Sequence, residues 1–163
     1  MPDINAPTLT ITHPSDTETV VRREFNAPAD NLFVLWTTPE LVRRWWSQTG
    51  EMSACDIDAQ VGGRWRWAHF NADHNIEVAY SGSYITVDRP KVLVFTELFE
   101  TLPGSEYVKE LKFEESNGTT TVVSHFKYTS KEWRDGHLAA NFEPGLRQAY
   151  GRIDALLDDQ ANR

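Results

Sequence analysis

Cysteine is nearly absent: Cys55 is the only one in 163 residues. That count excludes an intrachain disulfide and a cysteine-built metal cage. No activating base stands beside Cys55 in the sequence, so it reads as a half-buried strand thiol rather than a nucleophile. Long apolar runs are missing too. The longest, such as Leu32–Trp36 and Val92–Phe95, fall far short of a membrane span. The opening MPDINAPTLT has neither a basic nor an apolar signal-peptide region, so no secretory leader is expected. Positive charge is scarce, with 16 Lys and Arg against 24 Asp and Glu and a net charge of −8. An acidic surface repels phosphate backbones and anionic bilayers, so neither nucleic acid nor membrane is an expected partner. The 5 histidines lack HExxH or any other paired-ligand spacing, so neither a metal nor a cofactor is expected. Gly62-Gly63 lacks the Lys-Ser/Thr and the helix of a phosphate loop and reads as a turn or strand bulge. These exclusions leave a reduced, cytoplasmic domain.

What is present is aromatic. Six Trp, 8 Phe and 5 Tyr bring the aromatic share to 12% and the apolar share to 40%, enough for a core at this length. The whole chain, 1–163, reads as one domain with a loose proline-containing tail over 1–7.

The organising stretch is the last, Asn141 to Asp158. Phe142, Leu146, Ala149, Ile153 and Leu156 recur at spacings of four, three, four and three, which lays a stripe along an α-helix that Tyr150 and Leu157 widen. Pro144 suits the first turn and Asn141 the N-cap. Arg147, Gln148, Arg152, Asp154, Asp158 and Asp159 fall off the stripe and are expected in water.

Almost everything upstream reads as strands. Extended runs are expected at Leu9–Ile11, Glu18–Phe25, Glu51–Asp58, Arg64–Phe70, Ile76–Val87, Val92–Phe99, Tyr107–Glu114 and Thr119–Tyr128. Asn117-Gly118 is a strong hairpin signal. Two short helices interrupt the strands: one follows Asn26-Ala27-Pro28, and one opens with Thr38 as N-cap and Pro39 in the first turn and ends in Trp45-Trp46. Ser130 caps a further short helix ending near Gly136. Short turns favour an antiparallel meander, and a long amphipathic helix needs such a sheet to lie on.

Several of these segments, in this order, resemble a known family. Phe25-Asn26-Ala27-Pro28, Trp36-Thr37-Thr38-Pro39-Glu40 and Trp45-Trp46 resemble the opening of the START-like SRPBCC superfamily. Within it, the chain is most similar to the family named after the activator of the heat-shock-protein-90 ATPase. The likeness continues through Val61-Gly62-Gly63-Arg64-Trp65-Arg66, Gly82-Ser83-Tyr84, Arg89-Pro90 and Leu93-Val94-Phe95-Thr96-Glu97. It closes on Gly118-Thr119-Thr120, His125, Ser130-Lys131-Glu132 and Gly145. The resemblance implies an α+β helix-grip fold: a curved antiparallel sheet of about six to seven strands around the long C-terminal helix, enclosing a hydrophobic cavity. It does not by itself specify a reaction.

On the strand Arg64–His69, Trp65, Trp67 and His69 share one face, and Arg64, Arg66 and Ala68 the other. The resemblance turns the aromatic face inward. There it either lines a cavity or packs as core around a hydrogen-bonded His. The resemblance also points Tyr84, Glu97 and His125 inward, and it sets Trp46 near the cavity mouth. Phe95, Phe142, Leu146 and Tyr150 complete the expected lining. The expected occupant is a small hydrophobic or aromatic molecule, anchored by the polar members of this set. Two other readings stay open. One is a cyclase- or hydrolase-like enzyme using the same cavity, with Glu97 and His125 as an acid–base pair. The other is a co-chaperone or stress-response adaptor whose partner is a chaperone. A monomer or a homodimer suits either. The small basic clusters Arg22-Arg23, Arg43-Arg44 and Arg64/Arg66 read as solvated faces.

Overall fold

Alternating apolar residues bounded by turn-forming ones build eight strands, and all eight join one antiparallel sheet. The computed structural model describes residues 8–49 and 51–162; the tail expected over 1–7 lies outside the described residues. In chain order the elements are β1 (Leu9–Thr12), β2 (Glu18–Phe25), α1 (Ala29–Thr37), α2 (Pro39–Trp45), β3 (Ala54–Ile57) and β4 (Arg64–Asn71). There follow β5 (Ile76–Asp88), β6 (Val92–Phe99), β7 (Tyr107–Ser116), β8 (Thr119–Lys127), α3 (Lys131–Ala139) and α4 (Phe142–Ala161). The sheet order is β1-β2-β8-β7-β6-β5-β4-β3. From β3 to β8 the chain is the expected meander, and β2 returns to pair with β8. The sheet holds 8 strands rather than the expected six to seven, because the four-residue β1 and β3 both pair and take its two edges.

Local chemistry explains the joints. Asn117 and Gly118 have φ of 54° and 79°, the left-handed pair that a two-residue hairpin requires, and they turn β7 into β8. Ser130 accepts a bond from the Trp133 backbone N–H at 3.1 Å and starts α3. Pro39 opens α2 as expected, but neither Thr38 nor Asn141 makes a side-chain cap bond. At α1 the Ala29 N–H donates instead to the Glu115 carboxylate, 2.7 Å away on β7.

One glycine shapes the sheet. Gly82 faces Trp65 across β4–β5, and a Cβ there would lie 1.8 Å from the Thr96 carbonyl oxygen. Without that Cβ, β6 can press close at Thr96, just ahead of the point where the β5–β6 register slips between Tyr84 and Thr86. The Trp65 indole donates to the same Thr96 carbonyl at 3.1 Å.

The concave face of the sheet holds the core with α1 and the second half of α4. Val21, Leu32, Leu35, Val42, Leu111, Val122 and Ile153 are fully buried. Two residues expected in water are not there. Arg23, on the inner side of β2, is buried and forks onto Asp154 of α4, with one contact at 2.7 Å. Its guanidinium also lies 4.5 Å from the centroid of the Phe25 ring. Arg152 reaches back to the end of α2, donating to the Trp45 carbonyl at 2.7 Å. Both bonds clamp the far half of α4 to the rest of the fold. Arg66 does face outward, held by Glu77 at 2.6 Å and Glu100 at 3.0 Å.

Candidate functional site

The sheet does not close on α4 along its whole length. Beneath the first half of the helix lies a cavity of about 1020 Å³, at the upper end of the range for small-molecule sites. Two aromatic walls bound it. The first comes from α2, β4 and β5. Trp46 packs edge-on against Trp67 at 5.9 Å, His69 at 5.6 Å and Tyr80 at 5.8 Å, and Trp45 meets Trp67 at 5.9 Å. The second comes from β7, β8, α3 and the start of α4. Phe126 packs against Phe142 at 5.3 Å and Tyr107 at 5.8 Å, and His137 lies 5.0 Å from Phe142. The first wall follows from alternation on β4, with Trp65, Trp67 and His69 on one face as expected. The second follows from the same parity on β8 and its extension, where Phe126 and Tyr128 are both buried.

Between the walls, on β6 and β7, lie two charged side chains. Phe95 pairs with Lys109, and Glu97 with Tyr107, so Glu97 and Lys109 are diagonal neighbours on one face. Both line the cavity. Burial holds the Glu97 carboxyl above the usual carboxylate range, with the Lys109 ammonium working against the shift. Burial likewise pushes Lys109 below the ordinary lysine value, opposed by Glu97. Neither side chain makes a hydrogen bond or ion pair among the described residues. The Lys109 ammonium rests 4.7 Å from the Phe126 ring centroid. Two more polar atoms on cavity-lining residues, the Trp67 indole nitrogen and the Tyr107 hydroxyl, are buried without a partner. His137 shares a 2.6 Å hydrogen bond with the Tyr128 hydroxyl. Burial pushes its pKa down to about 4, helped by the nearby Lys109 charge, so the imidazole is neutral.

Seven of the expected residues line this cavity: Trp46, Trp67, His69, Phe95, Glu97, Phe142 and Leu146. Four do not. His125 sits on the outer face of β8, bonded to Glu18 of β2. The inner face of β8 belongs to Thr120, Val122, Ser124 and Phe126, all buried. The exposed Lys127, in step with His125, was the available signal. Glu97 and His125 therefore stand on opposite faces of the sheet and form no acid–base pair. Trp65 and Tyr84 face inward but border only a void of about 10 Å³ with Trp36 and Leu93. Tyr150 is buried against Phe25, 5.4 Å away, in the sealed part of the core. The sequence reading missed Tyr80, Tyr107, Lys109, Phe126 and His137. Lys109 was the hardest to find, since a lysine on a strand ordinarily marks a solvent face.

The mouth is rimmed by exposed Gln48, Glu51, Phe70 and Ala72 on one side and by Ala140, Asn141 and Gln148 on the other. The expected gap between the short helices and α4 is bridged further along by Arg152 and by the Gln48–Gln148 bond at 3.3 Å. Cys55 is buried, with its pKa raised to about 11 by desolvation, which fits a packing thiol. No cluster of metal-ligating residues occurs among the described residues.

Comparison with known proteins agrees with this architecture. The family described as "Activator of Hsp90 ATPase homolog 1-like protein" matches residues 26–158. The chain belongs to this family. Solved structures extend the likeness. A protein from Rhodobacter sphaeroides superposes with a TM-score of 0.84 at 24% identity, covering 93% of this chain and 99% of the other. One from Mycobacterium smegmatis gives 0.81 at 24% identity, covering 92% and 97%. One from Staphylococcus epidermidis gives 0.78 at 22% identity, covering 93% and 94%. At these identities the neighbours show the START-like, helix-grip fold and nothing finer. None of the curated proteins searched matches the chain. No helix among the described residues is long and apolar enough to cross a membrane.

Proposed function

We propose that this family member binds a small apolar or aromatic molecule in the cavity under the first half of α4. The observation that carries the reading is the cavity itself: about 1020 Å³ between two walls of aromatic rings. Apolar area removed from water on both partners supplies the affinity, at roughly 25 cal/mol per Å² before the costs of association. Phe142 and Leu146, spaced one helical turn apart, are only half-buried as they stand. A ligand beneath them would complete the burial that their positions on the stripe call for.

The reading is tested by titrating the protein with apolar and aromatic compounds while following tryptophan fluorescence and melting temperature together. A binder should quench or shift the emission, because Trp45, Trp46 and Trp67 border the cavity, and should raise the melting temperature. Leu146→Trp, which adds bulk at the roof, should abolish both responses and leave the fold intact. Equal responses in Leu146→Trp and the parent protein would place binding elsewhere.

A further inference from the structure

The polar groups between the two walls say which end-group the ligand carries, provided that the cavity reading above holds. A half-buried ammonium and a half-buried carboxyl without a direct contact are expensive to maintain, because each loses part of its hydration and neither recovers it from the other. The remaining unsatisfied groups are not balanced in kind. The indole N–H of Trp67 can only donate, Lys109 can only donate while charged, and the Tyr107 hydroxyl has a proton to give. Against these three stands one carboxyl, Glu97. Burial disfavours its charged form, and the Lys109 charge works the other way. The neighbouring His137 is bonded to the Tyr128 hydroxyl through Nδ1 and has only Nε2 left to offer. Arg152, at the edge of the cavity, is engaged with the Trp45 carbonyl. The empty place in this arrangement therefore wants an acceptor, set beside the Lys109 ammonium on β7.

We propose that the ligand carries an oxyanion, a carboxylate in the simplest case, seated against Lys109 and Tyr107 on β7, with its aromatic or apolar body lying toward Trp46 and Trp67. One carboxylate oxygen accepts from the Lys109 ammonium. The other accepts from the Tyr107 hydroxyl, which has no partner of its own. The Lys109 ammonium then has a partner, and that pairing selects for the acid over a neutral molecule of the same shape. The net charge of −8 works against anions in general. The selectivity therefore comes from the cavity and not from the surface.

The experiment uses a neutral fluorescent probe, N-phenylnaphthylamine, and three competitors of one shape: naphthoic acid, naphthalenemethanol and naphthylmethylamine. Against the parent protein at neutral pH, the acid should displace the probe at about tenfold lower concentration than the alcohol, or about 1.4 kcal/mol. The amine should be the weakest. In Lys109→Met the advantage of the acid should vanish, while probe affinity and the alcohol's potency persist. Glu97→Gln, which supplies a donor and removes a competing negative charge, should preserve or increase the preference for the acid. Equal potency of acid and alcohol in the parent protein would overturn the oxyanion site and leave the cavity reading standing. Strongest displacement by the amine would overturn it in favour of Glu97 as the anchor. Failure of the probe and all three competitors to bind would overturn both readings. The ranking on the parent protein decides the matter even if a variant fails to fold.

Discussion

The two halves of α4 are one continuous helix with one continuous apolar stripe, yet they do different things. The second half, from Tyr150 to Leu157, is sealed. Ile153 is fully buried, Tyr150 meets Phe25 edge-on, and Arg23 forks onto Asp154. The first half, from Phe142 to Ala149, is half-buried over open space. Both sides of the sheet contribute to the difference. Against the second half, β2 supplies Phe25 and Arg23, which meet Tyr150 and Asp154. Opposite the first half, β6 and β7 supply Glu97 and Lys109, which cannot pack as a dry core. A stripe of apolar residues thus measures what a helix offers to bury, while the facing strands decide whether the burial is complete.

Breaking the sealed half should cost most. Ile153→Ala should destabilise the protein by about 3–4 kcal/mol in denaturant unfolding, because it removes a fully buried side chain from a site that cannot collapse. Acid should weaken the open half next. Burial keeps His137 neutral in the fold down to about pH 4, whereas the unfolded chain takes up its proton near 6.5. The unfolded state therefore binds more protons in that window, and stability falls as pH drops from 6.5 toward 4 by up to about 3 kcal/mol. Comparing melting temperatures across that range, His137→Gln should be flatter than the parent protein. Asp154→Ala should cost about 2 kcal/mol, since it leaves the Arg23 guanidinium buried without its partner while Asp154 itself is partly exposed. Leu146→Ala should be mildest, under about 1 kcal/mol, because the side chain it shortens already borders a cavity. A Leu146→Ala cost equal to that of Ile153→Ala would erase the contrast between the halves.

Much of the fold was legible in the sequence because it rests on local patterns. Strand alternation, the Asn117-Gly118 turn, Ser130 as a cap and the stripe from Phe142 to Leu157 all use neighbours close along the chain. The tryptophan wall was legible for the same reason, as Trp65, Trp67 and His69 share a strand face by parity. What failed needed long-range information. Parity groups His125 with Thr121 and Val123 correctly, but it cannot say which group faces the helix, and the resemblance pointed it the wrong way. Arg23 looked like half of a solvated pair, and only its partner 131 residues away shows it to be a clamp. Lys109 was invisible because its surroundings depend on walls supplied by other elements: α2, β4, β5, β8, α3 and α4. The polar part of the candidate site is therefore the part that sequence could not supply.

The most direct test of the central claim, that a ligand lies under the first half of α4, uses the indole N–H signals of the 6 tryptophans. Titrated with N-phenylnaphthylamine and followed by NMR, the Trp46 and Trp67 signals should move together and saturate, while Trp133, on α3 away from the cavity lining, should stay in place. Movement of Trp133 with Trp46 and Trp67 unmoved would contradict the account.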